Sequence, residues 1–131
     1  MSKPEVHVRL PDLKKAFKEH SKIADKADKN SHHLLRFYAN ECGLKAMFMQ
    51  ENRLIDTREF ESKVPGIKYG YGHDLRRWMA EIKVPAFVIK DKDDPQDPLI
   101  NAHEKLRYGR NLRKDQESLL KTIQALLNQH L

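Results

Sequence analysis

Groups capable of acid–base and phosphate chemistry concentrate in the segment HEKLRYGRNLRK, residues 103–114. His103 and Arg107 are four residues apart, which places them one helical turn from each other, and Glu104 follows the histidine. An imidazole can transfer a proton near neutral pH, and a guanidinium can neutralise a phosphate. These residues could therefore form a phosphate-facing constellation, and His73 is a further candidate for acid–base chemistry.

The same basic residues could bind phosphate without catalysis. Tyr108 could then stack on a base. The competing interpretation, the more common meaning of such a pattern, is a solvated basic face with Tyr108 in the core. Trp78 is expected in the core, because Leu75, Met79 and Ile82 share its side at helical spacing. The candidate phosphate ligands are Arg76, Arg77, Arg107, Arg110, Arg113 and Lys114.

A second polar pair interrupts an apolar helix. The stretch HHLLRFYANECGLKAMFM, residues 32–49, is apolar over most of its circumference, yet Glu41 and Lys45 lie within the apolar arc. Their spacing and order allow an ion pair on one helix. We expect either a structural polar network completed by His73 and Asp74, or a pair at the bundle edge with Lys45 reaching water.

Metal and cofactor sites are not expected. His32 and His33 are adjacent and diverge by about 100° on a helix, and the sequence has no paired cysteines and no HExxH motif. The glycine-rich GIKYGYG lacks the lysine and hydroxyl that complete a P-loop. The sequence therefore predicts no metal ion and no cofactor.

Composition describes a basic, folded chain. Its 131 residues suit one domain with a real core, and the net charge of +6 makes phosphate-bearing partners plausible. We found no apolar run of membrane-spanning length and no secretory leader, so we expect a soluble cytoplasmic protein. The single cysteine, Cys42, cannot form an internal disulfide and is expected to be a small buried hydrophobe.

Periodicity and breakers predict an all-α protein, a four- to five-helix up-and-down bundle. An extended arm over residues 1–10 should precede a single domain over 11–131. Asn30 or Ser31 should cap the second helix, and Asp115 should cap the last. The acidic loop 91–98 should be the most mobile part, and its conformation is open. The predicted helices cover about 11–27, 31–50, 56–63, 73–84, 99–109 and 115–130, with a glycine-rich loop at 64–72.

The first helix should divide into two faces. Its apolar positions follow the helical period only moderately. The lysines opposite are expected to form a solvated face. The apolar positions are Leu13, Ala16, Phe17, Ile23, Ala24 and Ala27, and the lysines are Lys14, Lys15, Lys18 and Lys22.

The order of three motifs resembles the HEPN superfamily of prokaryotic helical-bundle domains. HLLRFYANECGLKAMFM is followed by GHDLRRWM, then by HEKLRYG and a final amphipathic helix, so the resemblance covers about residues 12–130. It implies a four- or five-helix bundle, frequent homodimerisation, and a role in defence or toxin–antitoxin systems. Many such domains are metal-independent ribonucleases that use an Arg, four to six residues, then His motif.

That nuclease motif is absent here, since none of the seven histidines has an arginine five to seven residues before it. The resemblance therefore implies a non-catalytic RNA- or nucleotide-binding or regulatory module, with enzyme activity uncertain and not favoured. Two alternatives remain open. One is an atypical, metal-independent ribonuclease or toxin that uses His103, Glu104, Arg107 and His73. The other is a pure protein-interaction module whose partner is a neighbouring gene product.

Overall fold

The computed structural model describes residues 8–26, 29–63, 75–82, 105–108 and 114–131. Within these ranges the chain is helical, and the only strand-like feature is an isolated antiparallel bridge between Arg9 and Asp56. The predicted all-α class is confirmed. The helices are α1 (Leu10–Lys26), α2 (Lys29–Glu51), α3 (Phe60–Lys63), α4 (Leu75–Glu81) and α5 (Lys114–His130), with a 3₁₀ turn at Thr57–Glu59 and helical residues at 105–107.

Helix α1 lies along α2 and buries one face against it. Leu13, Phe17 and Ala24 are buried, as the helical period predicts. Ile23 departs from that prediction because half of its surface, 50%, stays exposed. It lies about 100° around the helix from Ala24, on the side that α2 does not cover.

Helix α2 is the centre of the fold and packs against α1, α4 and α5. Phe37, Leu44 and Met49 are fully buried. The predicted N-cap is wrong, because Asn30 and Ser31 are helical residues and α2 already includes Lys29. This stretch contains several residues whose side chains can cap a helix. Residue type alone therefore does not decide where the helix begins, because packing against the other helices also matters.

An aromatic cluster connects α2, α3 and α4. The ring of Trp78 lies 5.3 Å, between centroids, from both Phe48 and Phe60. Trp78 is fully buried and Leu75, Met79 and Ile82 are buried beside it, so the predicted core face of this helix is confirmed. Such tilted and edge-to-face contacts stabilise the packing beyond the apolar area that they bury.

The segment before α1 pairs with the turn that follows α2. Thr57 N–H donates to the carbonyl oxygen of Val8 at 3.0 Å, and Leu10 N–H donates to that of Ile55 at 3.1 Å. Asp56 caps the 3₁₀ turn by accepting from Arg58 N–H at 2.8 Å. The predicted short helix over 56–63 is thus confirmed as a 3₁₀ turn that continues into α3.

Several predictions fall on other parts of the chain. The loops at 64–72 and 91–98, and most of the arm over residues 1–10, lie outside the described residues, so the division into an arm and a single domain stays a prediction. No described helix combines the length and apolar character that crossing a bilayer requires.

Candidate functional site

Arg107 and Tyr108 form an exposed pair at the end of the short helical segment. Leu106 is buried and holds this segment against the core, while 72% of the surface of Tyr108 is exposed. The guanidinium carbon of Arg107 lies 5.9 Å from the centroid of the Tyr108 ring. The expectation that Tyr108 belongs to the core is therefore wrong. Positions two apart on a helix diverge by about 200°, so the burial of Leu106 turns Tyr108 outward.

The other predicted phosphate ligands are only partly described. Arg77 is exposed on α4, next to the buried Trp78, and Lys114 is exposed at the first residue of α5. Asp115 is a helical residue of α5, so its prediction as the N-cap is wrong for the same reason as in α2. The side chain of Arg76, and the residues Arg110, Arg113, His73, Asp74, His103 and Glu104, lie outside the described part of the chain.

Glu41 and Lys45 form the predicted ion pair. Nζ of Lys45 lies 3.4 Å from Oε1 of Glu41, and the side chains are 22% and 8% exposed respectively. The carboxylate is thus inside the bundle, and the ammonium sits at its edge. The pair combines features of both sequence interpretations, because a buried carboxylate is neutralised by a lysine that still reaches water. The further partners predicted for it, His73 and Asp74, stay predictions.

A larger polar group, which the sequence analysis missed, connects α2 to its neighbours. We call it the polar seam: His33, Arg36 and Asn40 of α2, Glu117 and Gln124 of α5, and Asp25 of α1. The three α2 members are buried although they are polar. Their i, i+3, i+7 spacing is the signal that could have revealed them, because it places three polar side chains on one side of an apolar helix.

Arg36 is the central member of the polar seam. Its Nε donates to Oε1 of Gln124 at 2.7 Å, and its Nη2 lies 3.6 Å from Oδ1 of Asp25. Burial lowers the pKa of Arg36, and the charge and hydrogen bonding of Asp25 oppose that shift. One guanidinium therefore connects three helices.

His33 and Asn40 extend the seam in both directions along α2. Nε2 of His33 lies 3.2 Å from Oε1 of Glu117, and Nδ2 of Asn40 donates to the carbonyl oxygen of Leu120 at 2.9 Å. Burial lowers the pKa of His33, and although Glu117 acts in the opposite direction, nearby positive groups add to the lowering. The seam is built to hold helices together, since its α2 side chains are too buried to meet a macromolecular substrate.

Two other reactive groups are restrained by their surroundings. Cys42 is half-buried, less than expected, and burial raises the pKa of its thiol, with Glu41 adding to the shift and Lys45 opposing it. This favours the thiol over the nucleophilic thiolate. A ring nitrogen of His32 contacts the carbonyl oxygen of Ala24.

Among the described residues, no three His, Cys, Asp or Glu side chains are grouped as metal ligands.

Comparison with known proteins finds no family model, no curated protein and no solved structure that matches this chain. The HEPN resemblance therefore rests on the motif residues alone. The described geometry adds two things to those motifs, an exposed arginine–tyrosine pair and a buried polar seam.

Proposed function

We propose that this protein is an RNA- or nucleotide-binding module, non-catalytic, in a HEPN-like up-and-down bundle of four to five helices that forms a homodimer. Its context would be a prokaryotic defence or toxin–antitoxin-type system. Arg107 and Tyr108 make the central ligand contact in this proposal, with Arg77 and Lys114 as candidate phosphate ligands.

The exposure of Tyr108 is the observation that carries the proposal. A tyrosine with 72% of its surface in water makes little contribution to the core, and its ring is open to a planar ligand. Stacking of a base on such a ring is worth about 1–3 kcal/mol and tolerates any sequence. The Arg107 guanidinium beside the ring can add a phosphate contact or a cation–π interaction.

The charge of the chain supports the same ligand class. A net charge of +6 attracts polyanions, and the release of counterions from RNA would make the affinity fall steeply with salt. A purely apolar protein interface would not show that dependence. Salt therefore separates RNA binding from the alternative of a protein-interaction module.

The test is binding of fluorescently labelled single-stranded RNA, in EDTA, by the wild type and by Tyr108→Ala. We expect Tyr108→Ala to weaken binding about 5- to 150-fold, which corresponds to one lost stacking contact. Tyr108→Phe should keep most of the affinity because it keeps the ring. Ile55→Ala is the matched control, since Ile55 is also a large exposed hydrophobic residue, 63% exposed.

Two results would contradict the proposal. Equal affinity of Tyr108→Ala and the wild type would exclude Tyr108 as the contact. Site-specific cuts on a denaturing gel, lost in His103→Ala, would favour instead the atypical ribonuclease with His103, Glu104, Arg107 and His73.

A further inference from the structure

We propose that the lysine face of α1, formed by Lys14, Lys15, Lys18, Lys22 and Lys26, is a track for the phosphate backbone of RNA. Successive lysines of this face are one, three, four and four residues apart, and at 3.6 residues per turn all five lie within an arc of about 120°. The row is about 18 Å long, from the rise of 1.5 Å per residue. This proposal rests on the proposed RNA binding and names a second contact for the same ligand.

The lysine face is open and its charge is not neutralised locally. Lys15, Lys18, Lys22 and Lys26 are exposed, and Lys14 is half-buried. Within the described part of the chain, no carboxylate forms an ion pair with any of the five.

The acidic residues of α1 do not cancel this charge. By the count of about 100° per residue Asp25 falls inside the arc of the lysines, but its carboxylate lies 3.6 Å from Nη2 of Arg36 and so already faces a cation of its own. Asp12 and Glu19 fall beyond the edge of the arc, by the same count of about 100° per residue. The exposed surface of α1 therefore presents a positive stripe.

Like charges one turn apart oppose helix formation. The row contains three such i, i+4 pairs: Lys14 with Lys18, Lys18 with Lys22, and Lys22 with Lys26. Each repulsion destabilises the helix, and a polyanion that contacts both members relieves it. Counterion release then favours a ligand that meets several lysines at once.

RNA fits this surface better than a membrane does. A helix that binds a bilayer inserts its apolar face, but α1 already buries Leu13, Phe17 and Ala24 against α2. Only Ile23 is left as an exposed large hydrophobic residue on this helix. A phosphate backbone needs no apolar insertion, and a row about 18 Å long can contact several successive phosphates at once.

The experiment measures the slope of log affinity against log salt concentration for single-stranded RNA. Lys18→Gln/Lys22→Gln should make the slope shallower by about 1.4, which is the loss of two phosphate contacts on a single strand. The control Lys63→Gln/Lys121→Gln removes the same charge from exposed positions on α3 and α5 and should keep the wild-type slope. Circular dichroism checks that both variants remain folded.

The outcomes separate this inference from the proposed function. If Tyr108→Ala weakens binding while Lys18→Gln/Lys22→Gln keeps the wild-type slope, the lysine track is wrong and the Arg107–Tyr108 contact stands. A shallower slope in the α1 variant alone, with Tyr108→Ala unchanged, supports the track and removes the Tyr108 contact. Absence of RNA binding by the wild type overturns both. A slope made equally shallow in both lysine variants would show a general charge effect and also contradict the track.

A membrane control completes the test. Vesicles of phosphatidylserine and phosphatidylcholine should not sediment the wild-type protein. Sedimentation that depends on Lys18 and Lys22, together with an unchanged RNA slope, would assign the lysine face to anionic lipid and overturn the proposal.

Discussion

Arg36 of α2 donates from Nε to Oε1 of Gln124 in α5 at 2.7 Å, a hydrogen bond between residues 88 positions apart. Both side chains are buried, and Nη1 of Arg36 has no hydrogen-bond partner among the described residues. A buried ion with its partners can add little net stability, yet removing one partner leaves a buried polar group uncompensated and is costly. This distinction can be measured by removing one partner or both.

Arg36→Met should lower the free energy of unfolding by about 2 kcal/mol, because it leaves the buried Oε1 of Gln124 without its donor. Urea denaturation measures the loss. Arg107→Met, at an exposed position, should stay within about 0.5 kcal/mol of wild type. A similarly small effect of Arg36→Met would show that the polar seam does not contribute to stability.

The double variant Arg36→Met/Gln124→Leu should lose less free energy of unfolding than the two single variants lose in sum. The difference should be about 1 kcal/mol or more. Replacing both partners by apolar side chains leaves no orphaned polar group at this contact. A double-mutant cycle in urea measures the coupling. Strictly additive losses would mean that the hydrogen bond contributes nothing to the pairing of α2 with α5.

Lys45→Met should lower the free energy of unfolding by about 2 kcal/mol, whereas Glu41→Gln should lower it by less than about 1 kcal/mol. The reason is the difference in burial: Glu41 is inside the bundle, whereas Lys45 reaches water and tolerates the loss of its partner. Unfolding midpoints of the two variants provide the comparison. Equal losses would indicate that both charges are equally buried.

Stability should fall as the pH is lowered below 6.5, in part because of His33. Burial keeps the pKa of folded His33 below its ordinary value of 6.5, so the unfolded chain takes up a proton first. The contribution of neutral His33 is complete above pH 6.5 and is lost as the pH falls through the folded pKa. Glu117 and Lys121 of α5 face this imidazole, as do His32 and Arg36 of α2.

His33→Gln should therefore flatten the dependence of Tm on pH between about pH 7.5 and 5, since it removes the titrating group. His130→Gln, at the exposed end of α5, is the matched control and should keep the wild-type profile. If the two variants give the same profile, the acid sensitivity belongs to other groups.

Gly43→Ala should destabilise the protein by about 1–2 kcal/mol, although alanine is the better helix former by about 1 kcal/mol. An added Cβ would lie 2.6 Å from Cδ1 of Leu127 and 3.0 Å from Cδ2 of Phe17. Leu127 is fully buried and has little room to move. Leu127→Val should recover part of the loss in the Gly43→Ala background. A more stable Gly43→Ala protein would contradict the close packing of α1, α2 and α5.

Local patterns in the sequence were sufficient for the helices and for some of their burial. The repeat of apolar residues predicts α2 and the inward face of Trp78, because helical periodicity depends on neighbours within two turns. The Glu41–Lys45 pair is predictable for the same reason, since residues four apart on one helix are always close.

Predictions failed where a local rule needed tertiary information. Asn30, Ser31 and Asp115 have side chains that can cap a helix, yet α2 and α5 include them as helical residues. The favoured of two interpretations places Tyr108 in the core, but the burial of Leu106, two positions before it, leaves Tyr108 in water. In each case the residue type is compatible with two environments, a cap or a helical position for the polar residues and the core or the surface for the tyrosine. Tertiary packing determines which one is occupied.

The sequence by itself therefore determined that this basic chain is helical, which helix is most apolar, and which charges pair within a helix. Only the tertiary structure decided that Arg36 meets Gln124 and Asp25, that His33 meets Glu117, and that Gly43 lies where α1 and α5 approach α2. The physical reason is distance along the chain. Contacts within a helix follow from 3.6 residues per turn, whereas contacts between α2 and α5 depend on how whole helices pack.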